Sequence, residues 1–178
     1  MRTIADVAAL VFALTCSERA AVAQESGEPP ATREVVGGHF AVRAGATYRQ
    51  LLDIPVYGVD LGLSVGRWGE RGADFFSIEP FFGRTEYGLT TQIWAFRYRT
   101  DWLLGRVHAG FSPGLCVITV HRATDAKAMS GLGLSLAGYA GWDFLRVGGS
   151  ATSIELALSG DAYGVPSWAA SLALVHRS

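Results

Sequence analysis

From residue 36 onward, apolar and polar side chains alternate with a period of two, the spacing that sends successive residues to opposite faces of a β-strand. The stretch from Tyr57 to Gly66 carries it without interruption. Tyr57, Val59, Leu61, Leu63 and Val65 share one face, and Gly58, Asp60, Gly62, Ser64 and Gly66 share the other. A helix, with its period of about 3.6, would mix the two sets. The separation recurs along the chain. Phe40, Val42, Ala44, Ala46 and Tyr48 oppose His39, Arg43, Gly45 and Thr47; Phe76, Ile78, Pro80 and Phe82 oppose Ser77, Glu79 and Gly83; Trp94, Phe96, Tyr98 and Trp102 oppose Arg97, Arg99 and Asp101. Further on, Val107, Ala109, Phe111, Leu115 and Val117 oppose His108, Gly110, Ser112 and Gly114, and Leu132, Leu134, Leu136 and Trp142 oppose Gly131, Gly133, Ser135 and Tyr139. Ile154, Leu156 and Leu158 oppose Ser153, Glu155, Ser159 and Asp161, and Trp168, Ala170, Leu172 and Leu174 oppose Ala169, Ser171 and Ala173.

The pattern predicts eight strands, at 36–48, 56–67, 74–84, 90–102, 106–121, 129–142, 151–162 and 167–176. Each is about 10 to 16 residues long, whereas a mean strand in a soluble protein has about 5–6 and a tilted strand crossing a bilayer needs about 9–11. Short segments rich in Gly, Asp and Pro separate them, so consecutive hairpins give an up-and-down meander. Pro80 and Pro113 have no N–H to donate and are expected at bulges or near strand ends.

Composition narrows the setting. The 178 residues make one domain, 49% hydrophobic and 17% charged, against about 25% charged in a soluble domain. Beyond residue 36 no apolar run reaches the roughly 18 residues of a spanning helix, which leaves two readings, a densely packed soluble core or a membrane barrel with its apolar residues spread over alternate positions. The charges, 15 Lys+Arg against 16 Asp+Glu, give no basic patch for nucleic acid. Lys127 is the one lysine, and arginine suits planar ion pairs in confined places.

Alternation does not say which face points outward. A soluble barrel turns its apolar face in and a membrane barrel turns it out. The polar face here is rich in Gly, Ala and Ser, which fit the narrow interior of eight strands. Its charges nearly balance, Arg43, Arg97 and Arg99 against Asp60, Glu79, Asp101, Glu155 and Asp161, as buried charges must. Arg97 and Arg99 are expected to pair with Glu79 or Asp101. Tyr48, Tyr57, Trp102, Trp142 and Trp168 lie near strand ends on the apolar face, where interfacial aromatic girdles sit. The expected fold is therefore all-β, an eight-stranded antiparallel membrane barrel over 36–178.

The N-terminus reads as a signal peptide over 1–23. Arg2 is followed by a mostly apolar stretch from Ile4 to Thr15, and Ala21-Val22-Ala23 fits a small-x-small cleavage pattern before Gln24. Asp6, Glu18 and Arg19 interrupt it, which leaves an amphipathic helix as the alternative; a lipid-modified Cys16 is disfavoured by Leu14 in the preceding residues. Residues 24–35, with Gly27 and Pro29-Pro30, read as a polar linker.

With the alternating rows and the segment from Trp142-Asp143-Phe144-Leu145-Arg146 through Trp168 to Leu174 in view, the chain resembles the small bacterial outer-membrane β-barrel proteins, with the OmpA-transmembrane type as nearest architecture. The resemblance is one of pattern over about residues 36–178. It implies residence in the outer membrane as a monomer, with outer-membrane lipid and the barrel-assembly machinery as partners. The chain departs from that pattern at Leu174-Val175-His176-Arg177-Ser178, where such barrels usually end in an aromatic residue.

Candidate chemistry is sparse. His39, His108, His121 and His176 form no close-spaced metal pair. His39 and His108 fall on the polar face and read as structural hydrogen-bonding groups, while His121 opens a loop with Thr124 and Asp125. Cys116 reads as a small packing residue. Outer-membrane hydrolases need a serine activated by histidine, and His121 is followed by Arg122 and Ala123, so neither catalysis nor a cofactor is expected. Gly131-Leu132-Gly133 lacks the strand-to-helix setting of a nucleotide loop. Three functions follow: a structural or small-solute membrane barrel with a filled lumen, an exported lipocalin-like binder with Trp94, Phe96 and Leu134 facing inward, and a lipid-modifying hydrolase.

Overall fold

A computed structural model describes residues 39–68, 72–122, 129–164 and 166–178. The expected signal peptide, the linker, the first three residues of the expected first strand, and Thr124 and Asp125 lie outside the described residues.

The described residues form eight strands: β1 His39–Leu51, β2 Ile54–Trp68, β3 Gly72–Arg84, β4 Leu89–Leu104, β5 Val107–Arg122, β6 Met129–Val147, β7 Ser150–Ala162 and β8 Pro166–Arg177. Each pairs antiparallel with the next, and β8 returns to β1, closing the barrel. The closing register runs from Ala41↔Arg177 to Leu51↔Ser167, and reciprocal backbone bonds of 3.1 and 3.0 Å between Phe40 and Ser178 extend it. Closure leaves no strand edge unpaired, the condition for a sheet in hydrocarbon. Two-residue turns at 105–106 and 148–149 lie at the rim that carries β1's start and β8's end. Gly105 and Gly148 take positive φ there, as tight hairpins require.

Two strand ends differ from the sequence pattern. β1 runs to Leu51, which brings Arg49 into the strand. β6 runs to Val147, and its register shifts between Asp143 and Leu145. That bulge lets the consecutive residues Phe144 and Leu145 both face outward, 41% and 44% exposed. The expected strand, ending at 142, stops just short of this bulge.

The prolines also sit elsewhere than expected. Both lie inside strands with no register shift. Pairing of β2 with β3 lapses between Asp60↔Phe81 and Leu63↔Ile78, opposite Pro80. Pairing of β4 with β5 lapses between Arg97↔Gly114 and Thr100↔Phe111, opposite Pro113. Each proline keeps its partner on the other side, Pro80↔Trp94 and Pro113↔Leu136. A missing N–H removes ladder bonding toward one neighbour only, because a strand residue directs its polar pair to one side.

The Leu61 row faces outward; Leu63 and Val65 are more than half exposed, and the facing Asp60 is 7% exposed. Trp94, Phe96 and Leu134 are 40%, 47% and 67% exposed, which corrects the lipocalin-like alternative that placed them inside. The interior holds bulkier apolar residues than the expected Gly, Ala and Ser. Val56, Phe81, Ile93, Ala95, Cys116 and Ile118 pack together near the rim opposite the chain ends, and Ala41, Ala73 and Phe75 pack with Trp68 near the other. Glycines on the inner row make the room. A Cβ at Gly58 or Gly83 would come within 2.8 or 2.4 Å of the Phe81 ring.

Candidate functional site

The interior between the two apolar clusters is a lattice of ion pairs. Period-two alternation aims every second residue inward, and closure brings side chains from distant strands to one axis. All eight charges of the polar face, Arg43, Asp60, Glu79, Arg97, Arg99, Asp101, Glu155 and Asp161, are at most 7% exposed.

Three groups can be followed along the axis. Near the rim opposite the chain ends, Arg49 pairs with Asp161 and donates to Ser167 Oγ at 3.0 Å. Asp161 also accepts from Ser135 Oγ at 2.5 Å. Arg97 from β4 donates to Glu79 Oε2 at 2.5 Å and to Ser135 Oγ at 2.7 Å, and Tyr139 Oη donates to Glu79 Oε1 at 3.2 Å.

At mid-barrel Glu155 is the hub. It accepts from Arg43 Nε at 3.2 Å and Arg99 Nη2 at 2.5 Å, and His108 Nε2 lies 3.2 Å from it. Arg43 also pairs with Asp60, and Arg99 donates through Nε to Asp101 at 2.8 and 2.9 Å. The Arg99 guanidinium stacks 4.2 Å above the Tyr139 ring, joining this group to the Glu79 group.

Toward the other rim, Arg177 pairs with Asp143, approaches His108 Nδ1 at 3.0 Å and lies 4.5 Å over the Trp68 ring. Arg146 reaches in from the rim to Asp143 at 2.5 Å. Among the described residues, five buried arginines (43, 49, 97, 99 and 177) meet six buried carboxylates (60, 79, 101, 143, 155 and 161). Arg146 supplies a sixth cation. Pairing of this completeness is what buried charge demands.

Arg49, Asp143, Arg177 and Arg146 are members that the sequence reading missed. Arg49, Asp143 and Arg177 stand beyond the expected strand ends. Continuing each inner row by one step of two, 47 to 49, 141 to 143 and 175 to 177, would have found them. His39 lies against Trp68, ring centroids 6.4 Å apart. Cys116 sits within the apolar cluster at the rim opposite the chain ends.

Space inside is small. One cavity of about 10 Å³ is lined by residues including Arg43, Gly62, Glu79 and Arg99, and one of about 30 Å³ by residues including Arg43, Arg49, Asp60, Glu79, Arg97 and Tyr139. A water needs roughly 10–15 Å³ on this measure, so they have room for one and about two waters. Among the described residues no three His, Cys, Asp or Glu side chains converge as metal ligands.

On the outer surface Tyr48 packs at 5.4 Å centroid separation against both Tyr57 and Trp168 near one rim. Trp102 lies 5.7 Å from Phe111 toward the other, where Trp142 also stands. The pairs Phe76–Tyr98 and Phe82–Trp94 add to these belts.

An all-β, eight-stranded, closed up-and-down barrel with an ionic interior and an apolar exterior is the architecture of small outer-membrane barrels. No protein-family model matches the chain, and no curated protein sequence is significantly similar to it. Solved structures are. The crystal structure of Ail, the attachment invasion locus protein of Yersinia pestis, superposes with a TM-score of 0.55 at 12% identity, covering 79% of this chain and 99% of that one. That of Neisserial surface protein A gives a TM-score of 0.56 at 9% identity, covering 78% and 95%. At such identities the likeness is one of fold.

Proposed function

We propose that this chain is a non-catalytic outer-membrane barrel whose lumen is closed by its own side chains, serving a structural or small-solute role as a monomer. The observation that carries the reading is the inversion of the two faces. Leu132, Leu134, Leu158 and Phe76 are 70%, 67%, 68% and 67% exposed, while the arginines and carboxylates of the ion-pair lattice are buried. Soluble monomers rarely show an apolar patch beyond a few hundred Å², and this one circles the barrel. Outward charges such as Asp53, Arg67, Asp74, Arg84 and Arg106 lie at strand ends or turns, as a surrounding hydrocarbon band about 25 Å tall would impose. The aromatic pairs toward each rim suit its two interfaces.

Short turns at 105–106 and 148–149 favour placing the chain ends on the periplasmic side. Outer-membrane lipid and the barrel-assembly machinery are the partners this reading implies. Fractionation combined with cysteine labelling tests it. In a Cys16→Ser, Cys116→Ser background, Leu61→Cys in membranes is expected to react with a lipid-soluble maleimide and to resist a water-soluble one, with the protein staying in the membrane fraction after carbonate washing. Recovery of the protein in the detergent-free periplasmic fraction would overturn the reading.

A further inference from the structure

We propose that the barrier to permeation through this lumen is the apolar cap at the rim opposite the chain ends, Val56, Phe81, Ile93, Cys116 and Ile118, and not the ion-pair lattice beneath it. The proposal rests on the membrane-barrel reading above and names the layer that holds the lumen shut. Three observations carry it.

Apolar side chains line both ends of the interior, but unequally. Toward the chain ends only Ala41, Ala73 and Phe75 cluster, with Trp68, beside the buried charges of Arg177, Asp143 and Asp101. At the other end Val56, Ile93 and Cys116 are 0%, 1% and 0% exposed and form one apolar cluster with Phe81 and Ile118. A constriction lined by apolar side chains stops ions by dewetting, because an ion there loses its hydration with nothing to replace it.

The space below the cap is polar and hydratable. The cavity of about 30 Å³ is bounded by Phe81, Ile93 and Ala95 of this layer and by Arg43, Arg49, Asp60, Glu79 and Arg97. It has room for about two waters, and Arg49 Nε has no protein partner. A chain of charged groups with room for water between them is a path that an ion can follow once the layer above is breached.

The cap is held in place from outside its own cluster. The Phe81 ring sits against Gly58 and Gly83, where any side chain would collide with it. The guanidinium of Arg49 covers the ring at 5.1 Å from its centroid while paired to Asp161. Phe81 is thus clamped between the wall and a tethered cation.

The test uses the full barrel refolded into planar bilayers, with insertion first verified by a heat-modifiable gel band. Wild type is expected to show no discrete current steps. Phe81→Ala is expected to open steps, and the lattice variant Glu79→Gln/Arg97→Gln to remain as silent as wild type. Cys116 gives an independent readout in a Cys16→Ser background. A membrane-impermeant thiosulfonate is expected to leave Cys116 unmodified in wild type and to modify it when Phe81 is Ala. Should Phe81→Ala lose the heat-modifiable band, Ile93→Ala takes its place in both measurements. An inserted cap variant that neither conducts nor labels overturns the proposal while leaving the membrane reading intact. So does a lattice variant that conducts while the cap variants stay closed. Failure of wild type to insert removes the membrane reading and the cap with it.

Discussion

The imidazole of His108 on β5 lies against Gly141 on β6: a Cβ placed at 141 would come within 2.3 Å of the ring's Cε1 and 2.4 Å of Nε2. The ring has nowhere to retreat. It is 0% exposed, with Glu155 on one nitrogen and Arg177 on the other. Asp101 stands in the same relation to Gly110, where a Cβ would fall 2.2 Å from Oδ1. Large polar groups inside this barrel are seated on glycines of the neighbouring strand.

Gly141→Ala is therefore expected to push His108 off Glu155 and to lower stability by about 1–3 kcal/mol, the usual cost of overpacking. Urea unfolding in lipid vesicles measures it. His108→Ala in the same chain should recover part of the loss, because the two changes act on one contact and are not additive. Equal loss in single and double variants would argue that the glycine is needed for another reason.

Arg97 holds Glu79 and Ser135 together. Arg97→Leu strands the carboxylate in a closed interior and is expected to cost about 3–5 kcal/mol, as when one partner of a buried pair is removed. The added change Glu79→Leu should return most of it, since the unpaired charge is gone. Heat-modifiability followed against temperature reports both. An Arg97→Leu barrel that melts like wild type would mean that Tyr139 and Ser77 satisfy Glu79 unaided.

Leu61 occupies the middle of the outward row from Tyr57 to Val65. Leu61→Arg is expected to destabilise the folded barrel in a bilayer by about 2–4 kcal/mol, and Thr90→Arg at the start of β4 by about 0–1 kcal/mol, because the penalty depends on depth. Folding titrations in vesicles distinguish them. Equal costs at the two positions would speak against a membrane band centred on Leu61.

Leu52 makes the first turn with φ of 52°, a left-handed conformation that costs an L-residue roughly 1–2 kcal/mol. Leu52→Gly relieves that strain and gives back about 0.4–1 kcal/mol through greater freedom of the unfolded chain. The expected result is a barrel as stable as wild type or up to about 1 kcal/mol more so. A clear loss in the unfolding midpoint would show that the exposed Leu52 side chain is held by a contact of its own.

The alternation of single residues was enough to divide the chain into eight strands and to assign faces, because side-chain direction in a strand depends only on residue parity. Leu61 and Asp60 part company for that local reason. Parity also carried Arg43, Glu79, Arg99 and Glu155 to the inner row. It holds at Asp143 and Arg49 too, which were missed because the expected strands ended at 142 and 48, one residue short of each. What no local pattern contains is who meets whom. Arg43 and Glu155 are 112 residues apart in sequence, and their contact is set by the stagger with which eight strands close. Pairing of neighbouring strands, by contrast, already sets Phe81 opposite Ile93 and Ile93 opposite Ile118 in the cap. Pairing across a lumen is a property of the ring as a whole, so tertiary structure alone decided which charges neutralise one another.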